Sequence, residues 1–205
     1  MSLEDRNELL QSAHDEAQRL NRYVQNLLDM TRLDYGALKP KRQAVDLREI
    51  VGSVRQDLAR VLHAHAVVVS VPRNLPLVDV DPVLIGQALA NLVENAAKFA
   101  PPGTTITIAA EITNGAARVT VTDEGPGVLS ADRSKVFDLF YRAGAGDGQP
   151  AGTGMGLAIV KGLIEAHGGT AEMLAGPHGR GSMVAITLPL ASVQVESGAA
   201  LEQPT

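Results

Sequence analysis

Cysteine and tryptophan are both missing from this 205-residue chain. Without cysteine there is no disulfide framework, no thiolate metal site and no thiol nucleophile. Phenylalanine and tyrosine number three each, so the core has to be aliphatic and an aromatic platform for stacking bases is excluded. No apolar run approaches the roughly 20 residues that a bilayer crossing takes. The opening Met1-Ser2-Leu3-Glu4-Asp5 is polar and acidic and does not resemble a leader. The expectation is a soluble, cytoplasmic piece. Positive charge does not dominate either: 18 Lys and Arg against 23 Asp and Glu leave a net charge of −5, which speaks against a nucleic-acid partner. The five histidines form no helical metal pair, and His63 and His65 are expected at the surface.

Apolar residues make up 45% of the chain, enough for one core and an appendage. Residues 3–34 are expected to form one long helical arm. Leu10, Ala13, Ala17, Leu20, Val24, Leu27 and Thr31 repeat at alternating spacings of three and four, a heptad seam. Leu9, Tyr23, Leu28 and Met30 widen that face, so the arm calls for helical partners in a bundle or dimer. Packing back onto its own domain is the alternative. Gly36 and Pro40 end the arm, and residues 37–45, with Lys39, Lys41 and Arg42, read as a basic linker.

Asp46 is placed to cap a helix whose apolar face is Leu47, Ile50, Val51, Val54, Leu58, Val61 and Leu62. Val67–Val71 and Leu77–Val80 read as strands. Asp81-Pro82 starts a second helix that runs to Phe99, before Pro101-Pro102-Gly103. Strands at 104–111 and 117–123 flank Asn114-Gly115, a hairpin turn. Residues 124–153 are glycine-rich and irregular, with one helical turn at Ser134–Phe140; a segment of that kind inside a domain reads as a lid. A helix at 155–167 and strands at 170–175 and 182–189 close the domain, and residues 191–205 read as a disordered tail. The fold class is α+β: a two-layer sandwich, a mixed sheet with its helices on one face, after a helical arm.

Three clusters carry chemistry. Gly152-Thr153-Gly154-Met155-Gly156-Leu157 runs into an apolar helix. Glycines there let the backbone approach a ligand, and the helix N-terminus offers free N–H groups to an anion; a flexible loop before an ordinary helix is the plainer alternative. On the helix 82–99, Asn91, Asn95 and Lys98 fall within an arc of about 60°, while Ile85, Ala88, Leu92, Ala96 and Phe99 form the core flank. Two asparagines in a helix interior work against propensity. An amide oxygen suits Mg²⁺ and a lysine suits phosphate, although a solvated face would look the same. Asp123-Glu124-Gly125-Pro126-Gly127 follows a strand, so its carboxylate stands ready to accept from an exocyclic amine, or merely makes an acidic turn. Arg142, after Phe137-Asp138-Leu139-Phe140-Tyr141, either faces phosphate or lies on the surface, with the aromatics expected to anchor the lid.

The order Asn91–Phe99, Asp123–Gly127, Phe137–Phe140 and Gly152–Leu157 resembles the ATP-binding domain of sensor histidine kinases, in the wider group with gyrase, Hsp90 and MutL. The resemblance covers residues 46–190. Tyr23–Leu33 is similar to the second helix of the kinase dimerisation domain, and Asp46–Val54 with Leu75–Leu84 look most like the potassium-responsive Kdp sensors. It implies ATP and Mg²⁺ as cofactors. Asn95 would hold Mg²⁺ with support from Asn91; Lys98 and Arg142 would neutralise phosphate; Phe99 would flank the adenine. Asp123 would read the adenine amine, Gly125 and Gly127 would shape the base pocket, and Gly152, Thr153, Gly154, Met155, Gly156 and Leu157 would hold the triphosphate. Gly179 and Gly181 match a further glycine pair.

The implied partners are the first dimerisation helix and second protomer of a parent kinase, and a response regulator receiver domain. The family's phosphoacceptor histidine precedes an acid, a basic residue, Thr or Asn, and Pro; His14-Asp15-Glu16-Ala17-Gln18-Arg19 keeps only the acid. The chain is therefore read as starting after the first helix of a membrane-anchored parent, and no self-labelling is expected. Two other readings stay open: an interaction or dimerisation module with an idle nucleotide site, and a serine kinase or ATPase of the same fold.

Overall fold

The computed structural model describes residues 38–142 and 153–192, and, among the first 37, residues 5, 6, 9, 10, 17, 24, 28 and 31. Those eight are helical, and Leu9, Leu10, Val24 and Leu28 expose about half or more of their surface. The rest of the expected heptad seam, His14, the glycines of 143–152 and the tail from 193 onward lie outside the described residues.

Asp46 caps helix α1 (Leu47–Asp57) by accepting from the Arg48 N–H. Leu47, Ile50, Val51 and Val54 are buried, as are Leu58 and Leu62 beyond the helix end. Val61 departs from expectation. The chain tightens there into a 3-10 turn (Val61–Ala64), whose period of three carries Val61 out of the 3.6-residue stripe and into solvent.

Five strands form the main sheet, ordered β2-β4-β5-β7-β6: β2 (Ala66–Ser70), β4 (Thr105–Thr113), β5 (Ala116–Thr122), β7 (Ser182–Pro189) and β6 (Ala171–Ala175). β2 runs parallel to β4 and the other pairs are antiparallel, so the sheet is mixed. The β4–β5 hairpin turns at Asn114 and Gly115, with φ of 52° and 75°. Both central residues are left-handed, which is why Asn-Gly serves there. Strict alternation on β4 and β5 buries Ile106, Ile108, Ala110, Ala117, Val119 and Val121. Helices α2 (Pro82–Phe99) and α3 (Gly156–Ala166) pack together over that face, contributing Ile85, Leu89, Ile159, Leu163 and Ile164 at 1% exposure or less. The opposite face is lined by partly exposed Thr107, Arg118, Thr120 and Thr122.

The end of the expected linker is structured. Gln43–Val45 form strand β1, antiparallel to β3 (Val78–Val80). Three residues give no readable periodicity, and the pairing depends on a partner more than 30 positions along the chain. At the other end, Leu190 bridges to Val78 and the Ala191 N–H donates to Leu77 O at 2.8 Å. No helix among the described residues is long and apolar enough to cross a membrane.

Candidate nucleotide site

Asp81 starts α2: its Oδ1 accepts from the Val83 and Leu84 N–H groups, and Pro82 occupies the first helical position. Towards its C-terminal end the helix presents Asn91, then Asn95 one turn on, then Lys98 and Phe99 on the last turn. Ile85, Ala88, Leu92 and Ala96 are buried as expected, but Phe99 is 41% exposed. It is the last helical residue, where the chain turns away at Ala100 and the core gives out. The Lys98 Nζ stands 4.8 Å from the centre of its ring, a cation–π distance.

Asp123 follows β5 and is 9% exposed. Its Oδ1 accepts from the Gly125 N–H at 2.8 Å and from the Ser182 N–H at 3.3 Å. Burial pushes its carboxyl above the ordinary range, and these two N–H groups pull it part of the way back. A side chain at Gly125 would meet Asp123 Oδ1 at 2.8 Å and Phe99 O at 2.9 Å. Gly125 therefore lies between the carboxylate and the C-terminal turn of α2, with no room for a methyl. Gly127, at φ 78°, faces Gly181 O, and a Cβ on Gly181 would fall 1.8 Å from Asp123 O. The loop before β7 is fitted against Asp123 with no room for a methyl.

One turn up α2, about 6 Å along the axis, Asn95 meets α3. Its Nδ2 lies 3.4 Å from where a Cβ on Gly156 would sit. Gly156 opens α3, Met155 precedes it as a buried cap, and among the described residues no side chain caps the helix; the Thr153 Oγ1 accepts, at 3.4 Å, from the Met155 N–H. A helix N-terminus without a side-chain cap is suited to an external acceptor. Leu157 is partly buried. Gly154, at φ 72°, lies against the backbone of Phe140, and its carbonyl accepts from the Phe140 N–H at 3.1 Å. Gly152 lies outside the described residues.

The structure thus brings Asn95, Gly156, Phe99, Gly125 and Asp123 into one contiguous stretch, with Gly154, Gly127 and Gly181 around it. Asn91 lies one turn before Asn95, with its Nδ2 buried and without a hydrogen-bond partner among the described residues. Arg142 is exposed. Of the expected aromatic anchors, Phe137 is 8% exposed and Tyr141 packs partly buried on the core, but Phe140 is 69% exposed at φ 62°. Its left-handed backbone turns the ring outward, and Val136 fills the core beside Phe137 instead.

The residues fit a magnesium nucleotide. Among the described residues no three His, Cys, Asp or Glu cluster to hold a metal on their own. Mg²⁺ ordinarily takes one or two protein oxygens and completes its shell with phosphate and water, and a single neutral amide beside an uncapped helix N-terminus supplies that kind of partial site. The orphaned Asn91 donor is a further group that a bound ligand or water would satisfy.

The family described as histidine kinase-, DNA gyrase B- and HSP90-like ATPase matches residues 80–192. The chain belongs to that ATPase family. It is similar to the sensor protein KdpD of Escherichia coli (strain K12), 37% identical over 168 residues covering 82% of this chain and 18% of that protein. It therefore spans about a fifth of the length of that curated relative. Among solved structures it resembles the mycobacterial sensor histidine kinase MprB, with a TM-score of 0.64 and 32% identity over 73% of this chain and 97% of that one. It also resembles full-length ShkA in complex with AMPPNP, with a TM-score of 0.75 and 27% identity over 94% of this chain and 40% of that one. In this ATPase domain of histidine kinase type, sequence reasoning missed His167. The ring is wholly buried, and Glu165-Ala166-His167-Gly168-Gly169 carries only a helix-end signal.

Proposed function

We propose that this domain binds Mg·ATP and transfers its γ-phosphoryl group to a histidine of a kinase dimerisation helix, for relay to an aspartate of a response regulator. The observation that carries the reading is that one helix, α2, meets the N-terminus of α3 at Asn95 and meets Gly125, which lies against the Asp123 carboxylate, at Phe99. Asp123 accepts from the exocyclic amine of adenine through the carboxylate oxygen that its backbone donors leave over. Phe99 flanks the base. Lys98, the N-terminus of α3 and the Gly154–Leu157 backbone hold the phosphates, and Asn95, with Asn91 beside it, holds the metal. Bound Mg²⁺ supplies charge neutralisation at the phosphates. The remaining work is positioning, which dominates phosphoryl transfer. None of the five histidines stands in the family's acceptor pattern, so the acceptor belongs to a separate segment. The exposed apolar residues of the arm, Leu9, Leu10, Val24 and Leu28, are where that helix and a second protomer would pack.

Calorimetry with ADP, with and without Mg²⁺, tests the first step. Measurable binding that strengthens with Mg²⁺ is expected, and no binding refutes the reading in favour of an interaction module. Incubation with γ-labelled ATP tests the second: label on a supplied dimerisation helix is expected, and label on His14 or steady ATP turnover without any acceptor refutes it.

A further inference from the structure

A second buried polar cluster lies at the opposite end of the two site helices. The His167 Nδ1 is 2.7 Å from Leu163 O, and its Nε2 is 3.0 Å from the Asp81 backbone nitrogen. A backbone N–H only donates and a carbonyl only accepts, so Nε2 carries the lone pair and Nδ1 the hydrogen. The ring is neutral, and both nitrogens are in use. Asp81 is committed in three directions: its N–H to His167, its Oδ1 to the cap of α2, and its Oδ2 to the Lys41 N–H at 2.9 Å. The next residue, Arg42, donates to Ala166 O at 3.0 Å, beside His167. One imidazole and one carboxylate thus fasten three things together: the segment entering the domain, the start of α2 and the end of α3. The far ends of those helices carry Asn95, Lys98 and the phosphate-facing N–H groups.

We propose that His167 and Asp81 form a proton-released latch, in which the neutral imidazole couples the entering segment to both nucleotide-site helices and its protonation lets that segment go. An imidazolium would point an Nε2–H at the Asp81 N–H, donor against donor, with no room to turn because Nδ1 is held by Leu163. The ionisable groups that face the ring are Arg42 from the entering segment, Asp81 from the start of α2 and Asp79 from β3. Burial, the largest influence, holds the ring below the usual imidazole value of 6.5, and Arg42 adds to this; the Leu163 carbonyl, Asp81 and Asp79 act the other way. The latch is accordingly shut at neutral pH and opens in acid. The effect on nucleotide rests on the site reading above; the latch itself does not.

Amide hydrogen exchange, followed by NMR on the whole chain without nucleotide, tests the latch. With intrinsic rates corrected, the Asp81 and Lys41 amides should lose protection roughly fivefold or more, the scale of one neutral hydrogen bond, as the pH is lowered from 7.5 until the His167 ring is protonated. The His167 ring resonance should titrate with the same midpoint. In His167→Gln, whose amide oxygen accepts but does not titrate in this range, the two amides should keep their protection. Equal loss in both proteins, or protection in the wild type that ignores pH, overturns the proposal. If the variant does not fold, the wild type decides alone, since a His167 titration that leaves the Asp81 amide unmoved overturns it too. ADP affinity measured on the same samples should fall with the amide protection; amides that respond while ADP never binds would sink the site reading and leave the latch standing.

Discussion

Replacing Asp123 with asparagine separates binding from folding. The Gly125 and Ser182 N–H groups, 2.8 and 3.3 Å away, both need an acceptor at Oδ1. Asparagine keeps that acceptor only by pointing its oxygen at them, which places its NH₂ where the second carboxylate oxygen was. A donor then meets the donor amine of adenine. Losing a hydrogen bond to a charged group costs about 1.5–3 kcal/mol, so the ADP dissociation constant should rise roughly 10- to 150-fold. Folding should move the other way. Burial raises the Asp123 carboxyl above its ordinary 3.8. A carboxyl raised on folding is best accommodated when protonated: its contribution is complete below the unfolded value and is lost as the pH climbs through the folded one. Asparagine bears no charge at any pH. D123N should therefore be at least as stable as the wild type at pH 7, with any advantage vanishing towards pH 4. Calorimetry with ADP and urea unfolding without it measure the two halves. Unchanged ADP affinity in a folded D123N would refute the role of Asp123, and a large loss of apo stability would refute the claim that its backbone bonds survive.

Three more outcomes follow from the same geometry. Gly154→Ala forces a Cβ to within 2.8 Å of the Phe140 backbone at φ 72° and should lower urea-unfolding stability by roughly 1–3 kcal/mol. Asp81→Ala removes the α2 cap and the Lys41 contact; a loss of about 1–2 kcal/mol is expected, visible as a lower thermal midpoint. Asn95→Ala should leave ADP binding in EDTA unchanged and abolish the gain that Mg²⁺ gives, so a retained magnesium effect would move the metal ligand elsewhere.

The elements that carry the site were legible because their signals are local. Asp81-Pro82 marks a helix start by capping and ring geometry, Asn114-Gly115 marks a hairpin by φ, and β4 and β5 declare their buried face by alternation. The convergence of Asn95 and Asp123 was legible only through the order of motifs, since no local rule brings residues 95, 125 and 156 together. What escaped notice depends on partners far away in sequence. β1 is three residues long and is a strand only because β3 accepts it. His167 sits in a helix-end sequence that a surface histidine would fit equally well. His65, expected at the surface, is half-buried, with its Nε2 3.1 Å from Ala97 O and its Nδ1 enclosed without a partner. Phe99 and Phe140 were assigned by hydrophobicity to an interior that ends before it reaches either ring.

The pairing of β1 with β3 changes where this domain can be cut. A polypeptide begun at Asp46, where the helix signal starts, would lack the strand that covers Val78 and Val80, now fully buried. It would also lack Leu38, which packs on the same core, and the donors that Lys41 and Arg42 give to Asp81 and Ala166. Any excised domain meant to keep this packing has to begin upstream of Leu38.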